Sequence, residues 1–240
     1  MEKGNFIYFR SMRKDLLFAL GMIAFFLPFF VFDPVFDAYY LLNAEHGLLM
    51  SFIKFSILAT LGKVIGLRIK TGRYRQKGFG LLPRAMVWGF IGTTIYMAFA
   101  IFASGTPQLL EKLGMSDAGS LLDARLSWRK VLVAFSISAA LNLFYAPVMM
   151  TFHKITDRHI IEKGGTLGGF LTRIEFARIF REINWDVQWH FVFKRTIPLF
   201  WIPAQTLTFL LPEEYRVLFA AFLGIVLGVL LAIAALKNRE

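Results

Sequence analysis

The 240-residue chain contains no cysteine. Disulfides, thiolate metal sites and cysteine nucleophiles are therefore excluded at once. It is also poor in charge, with 18% charged residues, where soluble domains run nearer a quarter. Acids are scarcer still, 16 against 27 Lys and Arg, so the net charge is +11. Metal-binding spacing is missing as well. His46, His153, His159 and His190 are scattered, and no HExxH occurs. The glycine-rich "GGTLGG" at 164–169 lacks the Lys-Ser/Thr of a phosphate-binding loop, and no strand precedes it. It reads as a flexible loop. No nucleophile–base pair stands out, and there are no repeats or low-complexity tracts. The inventory predicts no enzyme, no metal and no cofactor.

Hydrophobic residues dominate instead, at 57% with 16% aromatic and a mean hydropathy of +0.57. A membrane-crossing helix needs about 20 mostly apolar residues. Six runs qualify: residues 16–36, 47–67, 83–104, 131–152, 189–211 and 215–236. The fifth is the weakest, because Lys194 and Arg195 lie in its first turns. Most basic residues fall in alternate connecting segments, around Lys3 to Lys14, Arg68 to Arg84, Lys154 to Arg181, and Lys237 with Arg239. The positive-inside rule then puts both termini in the cytoplasm and makes the span count even. The expected fold is all-α, a single integral membrane domain over 1–240 built as a six-helix bundle. Phe176, Ile179, Phe180 and Ile183 fall on one face of a short stretch with Glu175, Arg178, Arg181 and Glu182 opposite. That spacing predicts an amphipathic helix lying on the membrane surface. The segment 105–129 is expected to hold one or two short helices.

Inside the spans, polar and small residues line up at helical spacing. Ser56, Thr60 and Lys63 align in the second. Gly89, Thr93, Tyr96, Ala100 and Ser104 align in the third, and Ser138, Asn142 and Tyr145 in the fourth. In the fifth, Trp201, Gln205 and Thr208 share a face with Pro198 and Pro212. An unsatisfied polar group facing lipid costs several kcal/mol, so the stripes are expected to converge inward. Two outcomes are open: dry interhelical hydrogen bonding, or a polar pathway lined by Lys54, Thr93, Tyr96, Asn142, Tyr145, Trp201, Gln205 and Thr208. Asp33 and Asp37 are candidate partners for Lys54. Lys63, near a helix end, is expected to snorkel. "GKVIG" (Gly62 and Gly66) and "GIVLG" (Gly224 and Gly228) permit close helix approach, within the bundle or in a homo-oligomer. The basic Arg68–Lys77 stretch could meet anionic lipid; nucleic acid is not expected.

The pattern Trp201, Pro203, Gln205, Phe209, Pro212, Tyr215, Arg216 resembles the C-terminal signature of a family of small peroxisomal and mitochondrial inner-membrane proteins. That family includes the protein implicated in mitochondrial DNA depletion, and it has bacterial relatives. "RAMVWGFIGTTIY" (84–96), "FYAPVMMTF" (144–152) and Asn184–Trp185 are similar to its other segments. The likeness runs from about Gly47 to Leu236, with the first span as an addition. Thr208 stands where the family usually has Asn, the Phe-to-Pro spacing is one residue shorter, and Lys63 replaces a usual acid. The resemblance implies a weakly selective channel without a cation preference, in a bacterial cytoplasmic or an organellar inner membrane. The alternative is a non-transporting scaffold, lipid-binding protein or assembly factor.

Overall fold

The computed structural model describes residues 2–237, and these are helical and turn segments with no strand among them. The side chains of Lys3, Arg10 and Lys237, and all of Arg239, which entered the charge argument, lie outside what is described. The chain forms two units, Met1–Gly47 and Leu48–Glu240. Four helical stretches among the described residues are long and apolar enough to cross a membrane: Arg13–Val31, Gly47–Thr71, Leu81–Lys112 and Trp128–Glu162.

The first unit carries α1 (Glu2–Phe26), α2 (Pro28–Val31) and α3 (Asp33–Glu45). The expected span at 16–36 is thus interrupted. Pro28 has no N–H to give the preceding turn, and Phe32 is extended at φ −115°, ψ 104°. Phe29 and Tyr39 meet edge to face at 5.8 Å across the break.

In the second unit, α4 (Gly47–Thr71), α5 (Leu81–Lys112) and α6 (Trp128–Glu162) are the long elements. Gly80, at φ 70°, turns the chain into α5, and Ser127 caps α6 by accepting the Lys130 N–H at 3.2 Å. At 1.5 Å per residue α5 and α6 are about 48 and 52 Å long. Both are longer than the ~30 Å hydrocarbon layer. The segment expected as separate short helices behaves differently. "TPQLLEK" continues α5 through Pro107, whereas 113–127 forms turns, entered through Gly114 at φ 104°.

The fifth expected span also departs from a plain helix. Residues Gln188–Trp201 wind as a π-helix after the short α9 (Trp185–Val187), and only Ile202–Leu210 (α10) is α-helical. The wide turns are visible in the Thr196 hydroxyl, which donates to the Phe191 carbonyl five residues back at 3.1 Å. Leu211 is extended before Pro212, ending α10, and α11 (Glu213–Lys237) follows.

Glycines set the helix spacing. A Cβ at Gly92 would stand 2.6 Å from the Ser51 carbonyl oxygen and 2.5 Å from Phe55 Cβ, and one at Gly89 would strike Ser56 and Phe52. These absences let α4 lie directly on α5, where the Ser56 hydroxyl donates to the Ala85 carbonyl at 2.9 Å. Elsewhere Gly62 lies against the backbone of Gly224 and Ile225, and Gly228 against Gly62, so the two GxxxG stretches meet within the chain, although a methyl at Gly224 would meet nothing. The apolar centre is formed by Ile91, Val133, Ile137 and Phe209, all buried, with Phe99 and Phe209 rings 5.0 Å apart.

The amphipathic stretch does form α8 (Phe176–Arg181), after the single turn α7 (Leu167–Phe170), but it docks on protein. Ile179 and Ile183 are buried against Ile155 of α6, while Phe176 and Phe180 stay exposed. Its polar face is also engaged. Arg178 reaches Glu175 at 2.5 Å, Glu162 of α6 at 2.6 Å and Glu182 at 3.0 Å. The Arg178 guanidinium holds the Glu175 carboxyl below its ordinary range, and the three carboxylates raise Arg178. "GGTLGG" is equally tied down, since a Cβ at Gly165 would collide with Gly78 and Gly80 of the 72–80 loop.

Two outcomes follow. Gly92→Val should cost about 1–3 kcal/mol by overpacking, read as a lower thermal midpoint in detergent, while Gly105→Ala, with open space around it, should not. A carboxyl depressed in the folded state stabilises above its unfolded value and loses that contribution as pH falls through the folded value. Protection factors at 176–182, corrected for the intrinsic pH dependence of exchange, should therefore fall once pH drops below the ordinary Glu range, and Arg178→Gln should remove that fall.

Candidate functional site

The sequence-selected residues separate into groups. Ser138 and Asn142 of α6 face α10, and their contact is a bonded seam. The Ser138 hydroxyl donates to the Ile202 carbonyl at 2.7 Å; Asn142 Nδ2 donates to the Ser138 carbonyl at 2.9 Å. Ile202 O also accepts the Thr206 hydroxyl at 2.8 Å, and Thr208, fully buried, donates to Ala204 O at 3.0 Å. Gln205 and Trp201 complete this face of the fifth element. Gln205 Oε1 and Trp201 Nε1 are both buried with no hydrogen-bond partner. One is an acceptor and the other a donor, a single helical turn apart in sequence.

Tyr145 belongs to a neighbouring contact. Its hydroxyl shares a 2.7 Å hydrogen bond with Thr94 of α5, not with the selected Thr93. Thr93 bonds back to Gly89 O at 3.1 Å within its own helix. Tyr96 is turned outward at 36% exposure, as are Ala100 and Ser104, so the outer half of the α5 stripe does not reach the seam. Lys54 is buried on α4 with Ser51 and Thr60. Asp33 and Asp37, its expected partners, belong to the first unit. Gly66 is half-buried.

The signature residues assemble around the end of α10. Phe209 is fully buried, and the Arg216 guanidinium lies 5.8 Å from its ring. Arg216 Nε donates to the Leu211 carbonyl at 3.1 Å, satisfying an acceptor that the break before Pro212 leaves without a helical donor. Proline, arginine and phenylalanine thus act together as one helix terminus.

A second polar cluster was not anticipated. Arg84 of α5, buried, forms an ion pair with Asp157 of α6 and donates through Nε to Phe79 O at 2.6 Å. With Val87, Trp88, His153, Thr156 and Ile160 they line a cleft too tight for a water molecule. His159, also buried, meets the Phe170 carbonyl at 3.2 Å instead of any metal-like group. Sequence reading had treated Arg84 and the charges after 152 as loop charges. The signal was present in Arg84–Trp88 and His153–Asp157, each four residues apart and so on one helical face.

No known family profile, curated protein or solved structure matches this chain. The apolar helices fit an integral membrane protein. Asp157→Asn should cost about 3 kcal/mol of stability by leaving buried Arg84 without its counter-ion. Arg84→Gln in the same background should recover part of that loss, measured as a double-mutant cycle on the thermal midpoint.

Proposed function

We propose that this is a six-span membrane protein with both termini cytoplasmic, whose α6–α10 seam is the closed state of a weakly selective pathway for small polar solutes or ions. The carrying observation is the buried pair of unsatisfied groups, Trp201 Nε1 and Gln205 Oε1. Leaving each unpaired costs about 1–3 kcal/mol, which a passing polar solute or water would recover. Asn142 and Thr208 extend the polar lining. The signature from Trp201 to Arg216 supports membership of the small peroxisomal and mitochondrial inner-membrane protein family, in a bacterial cytoplasmic or organellar inner membrane. Exposed Arg73, Arg75 and Lys77 suit anionic headgroups on the basic side.

The second reading is a non-transporting scaffold or assembly factor. It is favoured by Ser138, Asn142 and Thr208, which find their partners inside the protein and are essentially without solvent contact.

The absence of native cysteine makes the distinction direct. Asn142→Cys and Gln205→Cys should react with a charged, membrane-impermeant thiol reagent in liposomes, and modification should reduce small-solute efflux. If both positions stay unmodified while a permeant maleimide labels them, and the wild-type liposomes show no small-solute efflux, the pathway is ruled out and the dry scaffold stands.

A further inference from the structure

Away from the α6–α10 seam, one cluster carries more positive charge than its own acids can satisfy. Near the 72–80 loop, Lys63 of α4, Trp88 of α5 and His153 of α6 converge. Lys63 Nζ lies 6.0 Å from the Trp88 ring centre, and the His153 ring lies 4.5 Å from the same indole. The charges acting most strongly on Lys63 are Arg84, Lys154 and Lys70, every one a cation. Those acting on His153 are Lys63, Arg84 and Lys154. The adjacent acid, Asp157, is committed to Arg84. Trp88 Nε1, a donor that cannot accept, is buried without an acceptor.

Three features thus call for the same missing partner. Lys63 is half-buried and makes no ion pair among the described residues; Lys154 beside it is exposed; the indole N–H lacks an oxygen. A cation–π contact to Trp88 is favourable to Lys63, yet it supplies no negative charge against three neighbouring cations. A carbonyl-bearing neutral ligand would accept from the indole and leave the repulsion untouched. A phosphate group presents several acceptor oxygens on one centre and up to two negative charges, so it can take the ammonium and the indole N–H together. Lys63 would serve as a point-charge donor and Trp88 as the directional one.

We propose that the Lys63 side of the Trp88 indole, with Lys154 at its rim, is a binding site for a phosphate-bearing anion, outside the tight cleft that Trp88 and His153 share with Arg84 and Asp157. The same chemistry is offered by a free phosphate and by the headgroup of an anionic phospholipid. The site is separate from the α6–α10 seam and does not rest on the pathway reading.

The full chain, labelled with 15N at its tryptophan indoles, is placed in phosphatidylcholine nanodiscs and titrated with inorganic phosphate. In a second arm the nanodiscs contain increasing phosphatidylglycerol. The Trp88 resonance is identified by its loss in Trp88→Phe. It should shift saturably in at least one arm: a response to phosphate identifies a free anion, a response to phosphatidylglycerol a headgroup. Lys63→Gln should weaken binding about tenfold or more, as expected for loss of a charge-assisted bond. Lys63→Arg, which keeps the charge, should retain most of it. Lys154→Gln is at an exposed position and tests the same site should Lys63→Gln fail to fold; it should weaken binding several-fold. Absence of a saturable Trp88 shift in both arms overturns the proposal. So does an unchanged affinity in folded Lys63→Gln, or in Lys154→Gln where that variant must stand in.

Discussion

A helix that changes its winding inside an apolar bundle leaves backbone carbonyls that water cannot reach, and each needs a donor from the protein. At the start of α10 the Ile202 carbonyl receives two hydroxyls, from Thr206 on its own helix and from Ser138 on α6. The second bond sets the register between the elements. With Ser138 fixed, Asn142 one turn along bonds back to its carbonyl, and the buried face of α10 brings Phe209 to Phe99 of α5. The far end of α10 obeys the same rule, with Arg216 closing on Leu211. Three helices are thus positioned by acceptors that had to be satisfied. The apolar contacts between them, non-directional by nature, follow that register.

The α4–α5 pair solves the same problem by closeness. Gly89 and Gly92 remove the side chains that would hold the helices apart, and Ser56 can then reach the Ala85 carbonyl. In a lipid setting such contacts carry much of the association, because burying leucine against leucine gains little over leucine against lipid. Against this background of satisfied groups, Trp88, Trp201 and Gln205 are exceptions, each with a buried polar atom and no partner. Exceptions of this kind are where polar ligands have something to gain, which is why both functional readings are anchored there.

The sequence made much of this legible. The runs at 47–67, 83–104 and 131–152 correspond to α4, α5 and α6, and Ser138 of the fourth stripe bonds to the helix that carries Gln205 and Thr208. Helical spacing carries phase but not direction, and this explains the α5 stripe. Gly89 turned to α4 while Tyr96 turned outward, and Thr94 took the bond to Tyr145 in place of Thr93. The amphipathic stretch at 175–183 was recognised, but a local pattern cannot tell a membrane surface from a protein surface. The partners of its buried side, Ile155 and Glu162 of α6, lie many residues earlier. Arg84 and Asp157 were invisible as a pair for the same reason, since they are 73 positions apart. The π-winding of 188–201 has no sequence signal that we can identify, beyond Pro198 within it.

On the proposed pathway reading, that winding bears on how the seam would open. A π-helix is a rare conformation and is commonly found at functional sites. Here it runs directly into the face that carries Trp201 and Gln205, with Pro198 inside it and Pro203 just beyond. Pro198 supplies no N–H, so the π-helix lacks one internal bond. Conversion from i→i+5 to i→i+4 bonding would alter the angle per residue along the whole segment. It would therefore rotate the π-helix relative to α10 across the junction that Ser138 pins. The unsatisfied indole sits on the moving side of that junction and the unsatisfied amide on the fixed side. A change of winding would separate or align them while leaving the α6–α10 contact intact, so the opening element and the structural anchor can be neighbours in one helix.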